Sequence, residues 1–546
     1  MKNNNNELLL DIRDIHIEGY SDDAWHEIVK GVDLQLKRGE ILGLIGESGA
    51  GKSTLGLAAM GYTRDGCRIT QGEILFDGMD LAKASPGQLC EIHGVRIAYV
   101  AQSAAACFNP AHRLIDQHVE TAVQHGVADR KQAMKDAVEL YRELHLPDPE
   151  NIGMRYPHQV SGGQLQRAMT AMAMSCRPDL IIFDEPTTAL DVTTQIEVLA
   201  AIRNVVEAFG TAAIYITHDL AVVAQMADRI MVLRHGKLVE EAETRQMLSA
   251  PQEDYTKSLW AVRCFNVTPK ARPVDEVPLI EVKNASAGYG DTQILHDVSL
   301  SVYRGQTVAV IGESGSGKST TARVITGLLP AVEGSVLHKG EPLPSDYRRR
   351  SKEQLRRIQM IYQIPDTALN PRLTVGEIIG RPLTFYLGMK GKALKQRVSE
   401  LLELIELDPV KFYDRRPQEL SGGQKQRICI ARALAAEPDF IICDEVTSAL
   451  DQLVAEGILR LLTRLQKELG IAYLFITHDV ATVRAIADEV VVMQHGRVVD
   501  SGERNAIFTP PHHDYTGLLF SSEPEMDPDW LDRLLAERGN LESVSV

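Results

Sequence analysis

The stretch GESGAGKS at residues 46–53 is the strongest indication of the fold, and it returns almost unchanged as GESGSGKS at residues 312–319. Each copy follows a short apolar run, residues 41–45 or 307–311, whose β-branched content is typical of a strand. The pattern G-x-x-x-x-G-K-[ST] between a strand and a helix arranges backbone N–H groups around phosphates. The sequence therefore predicts two phosphate-binding loops on one chain.

Three further motifs recur in the same order in both halves. They are SGGQ at 161–164 and 421–424, Asp-Glu at 184–185 and 444–445, and Thr-His-Asp at 217–219 and 477–479. A repeat that preserves the order of its motifs marks a duplicated domain. The length of 546 residues agrees, because it exceeds the roughly 100–200 residues of a typical domain.

Both halves alternate strand-like and helix-like segments, which predicts the α/β class. Residues 180–183 and 440–443 are apolar runs that end in Asp-Glu, and residues 214–217 and 474–477 end in His-Asp. Unbroken apolar strands suit a parallel sheet that is buried on both faces, with ligands at the carboxyl ends of the strands. Amphipathic stretches between them predict an inserted helical subdomain in each half, about 103–178 and about 364–438.

The loss of periodicity near residues 266–279 predicts the domain boundary. We expect a first nucleotide-binding domain over 1–268, a linker over 269–278, a second nucleotide-binding domain over 279–522 and an acidic C-terminal tail over 523–546. A short helix through Trp530, Leu531 and Leu534 is expected in the tail, without a function.

Composition excludes several classes of protein. The net charge of −16 disfavours a sequence-independent grip on nucleic acid, which needs a basic surface. No run of 18 apolar residues and no secretory signal is found, so no membrane span is expected. The seven cysteines form no C-x-x-C pair, which argues against a disulfide framework, a zinc site or an iron–sulfur site.

The residues of each loop have distinct predicted roles. The glycines allow the tight backbone path, and Lys52 and Lys318 bring positive charge to the outer phosphates. Ser53 and Ser319 offer hydroxyl groups to Mg²⁺.

The Asp-Glu and His positions complete this prediction. A carboxylate at a strand end, Asp184 or Asp444, can hold Mg²⁺ opposite the loop serine. The following glutamate is a candidate general base for the attacking water, and the histidine at the next strand end can sense the γ-phosphate. The predicted catalytic residues are Glu185, Glu445, His218 and His478.

With the SGGQ motifs in view, the chain resembles tandem ATP-binding-cassette proteins from about residue 8 to residue 520. The resemblance implies an ATPase built from two P-loop NTPase domains of ABC type. Each would have a mainly parallel sheet core, an antiparallel β portion and an inserted helical subdomain. It also implies that each SGGQ serves the nucleotide held by the other half, and that Asp191 and Asp451 touch across the pair.

The same resemblance assigns the site residues. Gln102 and Gln363 would ligate Mg²⁺, and an aromatic ring would stack on adenine, with Trp25 as the alternative to Tyr20 in the first half. The implied metal ligands are Ser53, Gln102, Asp184, Ser319, Gln363 and Asp444. The implied nucleotide-binding residues are Tyr20, Gly46, Ser48, Gly49, Gly51, Lys52, Ser53, Thr54, Gln102, Ser161, Gly163, Gln164, Tyr289, Gly312, Ser314, Gly315, Gly317, Lys318, Ser319, Thr320, Gln363, Ser421, Gly423 and Gln424.

A narrower resemblance lies outside these motifs. Four short motifs are similar to motifs found in importers of peptides and nickel. They are PQEDYT at 251–256, PHHDYT at 511–516, ALNPR at 368–372 and YPHQ at 156–159. The resemblance implies ATP and Mg²⁺ as cofactors, with two transmembrane permease subunits and an extracytoplasmic solute-binding protein as partners. The chain would lie peripherally at the cytoplasmic face of the inner membrane and touch the membrane only through the permeases.

Three alternatives remain at this point. A soluble tandem cassette that acts on ribosomes is disfavoured by the short boundary and the acidic charge. A DNA-repair cassette is disfavoured because the zinc-ligand cysteines are missing. A nucleotide-gated scaffold without hydrolysis is disfavoured by the two intact glutamates. The transported solute, whether peptide, nickel complex or another small molecule, is not encoded in any of these motifs.

Overall fold

The computed structural model describes residues 7–21, 23–187, 190–261, 265–272, 276–448 and 450–544, with backbone alone for 539–544. Residues 273–275 of the predicted linker lie outside the described residues. The chain forms two compact units. Unit 1 comprises Met1–Ala261 together with Pro524–Val546, and unit 2 comprises Val262–Glu523. The C-terminal segment therefore belongs to the unit that begins the chain.

Unit 1 contains two sheets. One has the strand order β2-β1-β4-β5 and is antiparallel. The other has the order β10-β9-β3-β8-β7-β6 and is parallel except for the pair of β9 with β10. The strands are β1 Leu8–Ser21, β2 Ala24–Lys37, β3 Ile41–Ile45, β4 Cys67–Phe76, β5 Met79–Asp80, β6 Ile97–Val100, β7 Leu180–Asp184, β8 Ala212–Ile216, β9 Arg229–Arg234 and β10 Lys237–Glu243.

The helices of unit 1 fall into two groups. Those between β6 and β7 form the helical insertion, and the others connect or follow the strands of the parallel sheet. Short 3₁₀ helices at Ile152–Met154 and Pro157–Gln159 precede the SGGQ motif. The α-helices are α1 Lys52–Ala58, α2 Pro86–Ile92, α3 Ala104–Cys107, α4 Leu114–Gln124, α5 Arg130–Glu143, α6 Gly162–Ala173, α7 Val192–Phe209, α8 Leu220–Met226, α9 Thr244–Ser249 and α10 Asp254–Ala261.

Unit 2 repeats this plan. Its antiparallel sheet has the order β12-β11-β14-β15, and its mainly parallel sheet has the order β16-β17-β18-β13-β19-β20. The α/β class predicted from the sequence is confirmed in both halves. The strands are β11 Ile280–Tyr289, β12 Thr292–Val302, β13 Thr307–Ile311, β14 Glu333–His338, β15 Glu341–Pro342, β16 Ile358–Ile361, β17 Phe440–Asp444, β18 Ala472–Ile476, β19 Glu489–Gln494 and β20 Arg497–Glu503.

Every α-helix of unit 1 up to α10 has a counterpart in unit 2 in the same order, unit 2 has α16 in addition, and one last helix follows them in the chain. That last helix, α22, contains the expected Trp530 and Leu534 and belongs to unit 1. The helices are α11 Lys318–Thr326, α12 Lys352–Arg357, α13 Pro365–Ala368, α14 Val375–Leu387, α15 Gly391–Leu404, α16 Pro409–Phe412, α17 Gly422–Leu434, α18 Gln452–Leu469, α19 Val480–Ile486, α20 Arg504–Ile507, α21 Asp514–Ser521 and α22 Trp530–Val544.

The central strands of each parallel sheet are buried along their whole length. This holds for β3, β7 and β8 in unit 1 and for β13, β17 and β18 in unit 2. One apolar cluster in unit 2 joins β13 to the antiparallel sheet, and another joins β17 and β18 to α14, α15, α17 and α18. Burial on both faces fixes these strands, so the residues at their carboxyl ends have well-defined positions. Among the described residues, no helix has the length and apolarity needed to span a bilayer.

Candidate functional site

Each phosphate-binding loop is a left-handed glycine path between a buried strand and a helix. In unit 1 the loop follows β3, and α1 begins at Lys52 directly after Gly51, whose φ is 96°. At Gly46 φ is 146°, and a Cβ would lie 2.1 Å from the carbonyl oxygen of Leu233. Gly312 has the same φ and the same 2.1 Å distance to the carbonyl oxygen of Met493. A side chain at either position would clash with backbone, so the loop requires glycine there.

The loop lysine is buried in both units and reaches back over its own loop. Lys52 Nζ donates to the carbonyl oxygens of Gly46 at 2.7 Å and Glu47 at 2.9 Å. Lys318 Nζ makes the same two contacts, each at 2.8 Å. The ammonium group is thereby held in the loop, where it can meet the negative charge of a phosphate.

The loop serine and the strand-end aspartate are hydrogen-bonded in both units. Ser53 Oγ donates to Asp184 Oδ1 at 2.8 Å, and Ser319 Oγ donates to Asp444 Oδ1 at 3.0 Å. Burial raises the pKa of Asp444, more than its bond to Ser319 lowers it. The hydroxyl and carboxylate that were predicted to hold Mg²⁺ thus lie together at the carboxyl end of β7 and of β17.

A tyrosine on β6 completes this pair in unit 1. Tyr99 Oη donates to the second carboxylate oxygen of Asp184 at 2.6 Å. Burial and this carboxylate raise the pKa of Tyr99 far above its usual range, so the hydroxyl remains a donor. Sequence reasoning missed Tyr99, because an aromatic residue in an apolar strand reads as core. The third residue of the matching strand β16 is Met360, which carries no such donor.

The predicted base lies between the glutamine and the histidine. Gln102 Nε2 donates to Glu185 Oε2 at 3.0 Å, and Glu185 Oε1 lies 3.1 Å from His218 Nδ1. Burial would lower the pKa of His218, but the bond to Glu185 and its charge outweigh burial and raise that pKa. The histidine therefore keeps its proton, and its charge, to a higher pH than a free imidazole.

The same trio stands in unit 2 with a longer contact to the histidine. Gln363 Nε2 donates to Glu445 Oε2 at 2.5 Å, and Glu445 Oε1 lies 3.6 Å from His478 Nδ1. Burial would raise the pKa of Glu445, yet His478 and Lys318 outweigh it and lower that pKa. The pKa of His478 is raised, because Glu445 outweighs the effect of burial. A carboxylate that stays ionised can accept a proton from water.

The SGGQ motifs form the N-termini of long helices. Ser161 caps α6, where its Oγ accepts from Gln164 N at 3.3 Å while Gln164 Oε1 accepts from Ser161 N at 3.1 Å. Ser421 and Gln424 make the same reciprocal cap on α17. Each glutamine side chain is thus engaged in the cap of its own helix, whose first N–H groups and positive dipole end suit an anion.

The remaining predicted positions are exposed or half-buried, except for Gly163, which is buried. Tyr20 near the end of β1 is 52% exposed and packs against Trp25 at 5.3 Å, so both aromatic candidates of the first half lie together. Tyr289 ends β11, and its hydroxyl accepts from Arg323 at 2.6 Å. Residues Ser48, Gly49, Ser314 and Gly315 at the loop tips are exposed, Thr54 and Thr320 are half-buried on the first helical turn, and a Cβ at Gly163 or Gly423 would press on Thr194 or Val454.

In each unit a tyrosine hydroxyl contacts the backbone of the phosphate-binding loop, from Tyr255 on α10 and from Tyr515 on α21. Tyr255 Oη accepts from Glu47 N at 3.2 Å, and Tyr515 Oη accepts from Glu313 N at 2.9 Å. Their DYT motifs indicate similarity to peptide and nickel importers at the level of sequence, and sequence reasoning assigns these tyrosines no role. Asp191 and Asp451 occupy the N-cap positions of α7 and α18, and the Asp451 carboxylate accepts from Val454 N at 3.0 Å. Their neighbours Ala189 and Ala449 lie outside the described residues.

The chain is similar to family profiles and to several known proteins. The ABC transporter family profile matches residues 29–188 and 295–448, and the profile of the oligopeptide/dipeptide transporter C-terminal region matches residues 499–545. The glutathione import ATP-binding protein GsiA of Salmonella paratyphi A is 38% identical over 94% of this chain and 88% of its own. GsiA of Escherichia coli O157:H7 is 36% identical over 95% and 90%. Among solved structures, cbiO1 of Clostridium perfringens, part of an ABC transporter complex, is 31% identical over 43% of this chain and 91% of its own, with a TM-score of 0.38.

Proposed function

The chain belongs to the ABC transporter family, and on this premise we propose that it is the ATPase subunit that powers uptake of a peptide-like solute. It binds and hydrolyses ATP, and it works through separate membrane permeases, as import ATPases of this family do. The relatives are import proteins, so the ribosome-acting alternative is not supported. One observation carries the proposal: both units assemble a buried lysine, a serine–aspartate pair and a glutamine–glutamate–histidine trio at the strand ends.

In this proposal each side chain has one task. Lys52 and Lys318 neutralise the charge of the outer phosphates. Glu185 accepts a proton from the attacking water while the Gln102 amide, 3.0 Å away, orients the carboxylate. Glu445 and Gln363 do the same in unit 2. The serine of each SGGQ offers its hydroxyl and helix N-terminus to a γ-phosphate. That each signature motif serves the loop of the other half stays a prediction of the resemblance.

The serine–aspartate pairs fit Mg²⁺. Hydroxyl and carboxylate oxygens are the donors that this ion prefers, and the 2.8 Å and 3.0 Å contacts already bring the two donors together in each unit. Bound there, Mg²⁺ would offset charge on the phosphate oxygens. In unit 1 the bond from Tyr99 orients the carboxylate of Asp184, as outer-shell partners of metal ligands do.

The proposed solute is a short peptide of the glutathione class. Two observations support it: the relatives are named for glutathione import, and the C-terminal region matches that of oligopeptide and dipeptide transporters. An extracytoplasmic solute-binding protein would deliver the peptide to the permeases. The chain would lie at the cytoplasmic face of the inner membrane, where ATP is available.

Purification of the intact transporter tests the proposal. A tagged chain, taken from detergent-solubilised membranes of the cells that make it, should bring two hydrophobic membrane proteins with it. Co-sedimentation with ribosomes instead of these proteins would contradict the proposal.

Transport by the purified complex gives the second test. In proteoliposomes, ATP turnover should rise when a solute-binding protein loaded with glutathione or a dipeptide is added. A complex carrying Glu185→Gln and Glu445→Gln should assemble normally yet import no peptide, which separates assembly from hydrolysis. Stimulation by a nickel complex but by no peptide would overturn the proposed solute class.

A further inference from the structure

The C-terminal segment forms a dense set of polar contacts within unit 1. Gln225, buried on α8, donates through Nε2 to the carbonyl oxygens of Glu525 at 2.7 Å and Asp527 at 2.8 Å. Its Oε1 accepts from Leu531 N at 3.0 Å. One side chain thus satisfies three backbone groups of the segment, and removing it would leave them without these partners.

Charge and apolar burial extend this docking across two more helices of unit 1. Arg245 on α9 donates two hydrogen bonds to the Asp529 carboxylate, at 2.6 and 3.1 Å. Arg203 on α7 pairs with Asp532. Trp530, Leu531 and Leu534 are at most 7% exposed. Buried aromatic and aliphatic side chains distinguish a docked segment from a solvated acidic tail.

Residues 265–272, which include the start of the predicted linker, are docked in the same way, but on unit 2. Val267 N donates to the carbonyl oxygen of Ala485 on α19 at 2.8 Å, and Arg504 on α20 donates to the carbonyl oxygen of Val267 at 2.8 Å. Lys270 Nζ donates to Gln466 Oε1 on α18 at 2.9 Å. Phe265 packs against the apolar cluster of α18, with the Arg460 guanidinium 4.6 Å from its ring.

The two docking surfaces, around α8 in unit 1 and around α19 in unit 2, occupy equivalent positions in the duplicated fold. Gln225 is the sixth residue of α8, and Ala485 is the sixth residue of α19. Asp527 comes six residues after the end of α21, and Val267 comes six residues after the end of α10. The segment that follows the last helix of one half therefore docks, at matching positions, in the unit that carries the other half.

We propose that these segments are exchanged braces: residues 524–538 are a structural part of the first ATP-binding unit, and residues 265–272 are a structural part of the second. Each brace lies on the helix after the aspartate loop, α7 or α18, and on the helix after the histidine, α8 or α19. It supports the elements that begin at Asp191 and Asp219, or at Asp451 and Asp479. The partner of this surface on unit 1 is the C-terminus of the same chain.

Hydrogen exchange of the full-length chain and of a chain that ends at Glu523 tests the proposal. Without the tail, amides of α7, α8 and α9 should exchange at least about tenfold faster, because their protection depends on the docked segment. Amides of α18, α19 and α20 should keep their wild-type rates. Unchanged exchange in α7–α9, or equal acceleration in both units, would overturn the proposal.

Point variants keep the test valid if the shortened chain does not fold. Gln225→Leu retains bulk but removes the three bonds, so it should accelerate exchange in residues 524–538 and in α8. Arg504→Met is the matched variant on unit 2 and should accelerate exchange in residues 265–272 while leaving 524–538 unchanged. A Gln225→Leu chain with wild-type protection of 524–538 would contradict the role of this docking surface.

Discussion

The two ATP-binding units share their reactive side chains but differ in the residues behind them. The serine–aspartate distances are 2.8 and 3.0 Å, and both glutamates accept from a glutamine amide. In unit 1 the Tyr99 hydroxyl donates a hydrogen bond to Asp184, whereas the matching residue of unit 2 is Met360. The groups proposed to touch nucleotide are thus repeated, while one residue that orients the aspartate, Tyr99, is present in unit 1 alone of the two.

The helical insertions of the two units also differ, because polar aromatic side chains in unit 1 correspond to apolar side chains in unit 2. His118 is the fifth residue of α4 and Tyr141 the twelfth of α5, and their rings meet edge to face at 5.2 Å. Ile379 and Leu402 hold the same places in α14 and α15. In the described part of the chain, neither ring nitrogen of His118 nor the Tyr141 hydroxyl has a hydrogen-bond partner. Unit 1 therefore has a polar aromatic pair where unit 2 has two residues of an apolar cluster.

The largest expected effect tests whether both units hydrolyse. Glu185→Gln and Glu445→Gln together should lower ATP turnover of the assembled transporter about 100-fold, because a general base contributes at least that much, and either change alone should lower it about twofold, because the other unit still hydrolyses ATP. Steady-state phosphate release measures turnover, and retained binding of a labelled ATP analogue is the control. If the Glu445→Gln transporter turns over ATP at the wild-type rate, the two units do not contribute equally to ATP hydrolysis.

The second prediction concerns the tyrosine that only unit 1 possesses. Tyr99→Phe, in a chain whose second loop is disabled by Lys318→Ala, should raise the Mg²⁺ concentration needed for ATP binding about tenfold, because it removes an outer-shell bond to Asp184. Titration of fluorescent ATP binding with Mg²⁺ measures this. Met360→Leu in a Lys52→Ala chain is the control and should have no effect. An unchanged Mg²⁺ requirement for Tyr99→Phe would remove the proposed difference between the units.

The third prediction concerns a feature that the units share. Tyr255→Phe and Tyr515→Phe each delete one hydrogen bond to a loop amide, worth about 1 kcal/mol, and should weaken ATP binding at the affected loop about fivefold. Isothermal titration calorimetry with one loop lysine disabled assigns the effect to a unit. Tyr303→Phe, whose hydroxyl is bound by Arg272, is the control. A loss confined to one unit would show that the loops are supported differently.

The smallest expected effect lies in the helical insertion. Burial lowers the pKa of His118 to about 3, so the imidazole is neutral in the core. His118→Ile copies unit 2 and should raise the free energy of unfolding by about 1 kcal/mol without changing turnover, because a polar group lacking a partner is removed. Calorimetric unfolding measures this, and Ile379→His is the reverse variant, expected to destabilise. A destabilising His118→Ile would mean that the imidazole has a role in the fold.

Local sequence predicted much of the fold and of the candidate site, for a physical reason. The glycine loop, the apolar strands and the residues that end them are encoded within a few positions, so Leu180–Phe183 was recognised and β7 spans Leu180–Asp184. Tyr99 and Tyr255 were missed, because their partners lie 85 and 208 residues away and nothing local distinguishes a bonded hydroxyl. The docking of the C-terminal segment depends on Gln225, about 300 residues earlier, which no periodicity reveals.

The assignment of Pro524–Val546 to unit 1 has a consequence for synthesis. A ribosome adds about 5–20 residues per second, so roughly 14–57 seconds separate the emergence of residue 261 from that of residue 546. During that interval the first unit exists without its final segment, and Trp530, Leu531 and Leu534 have not yet covered their site. Chaperones would therefore encounter this uncovered surface on the nascent chain, and a stop codon just before residue 524 would destabilise the unit that was synthesised first.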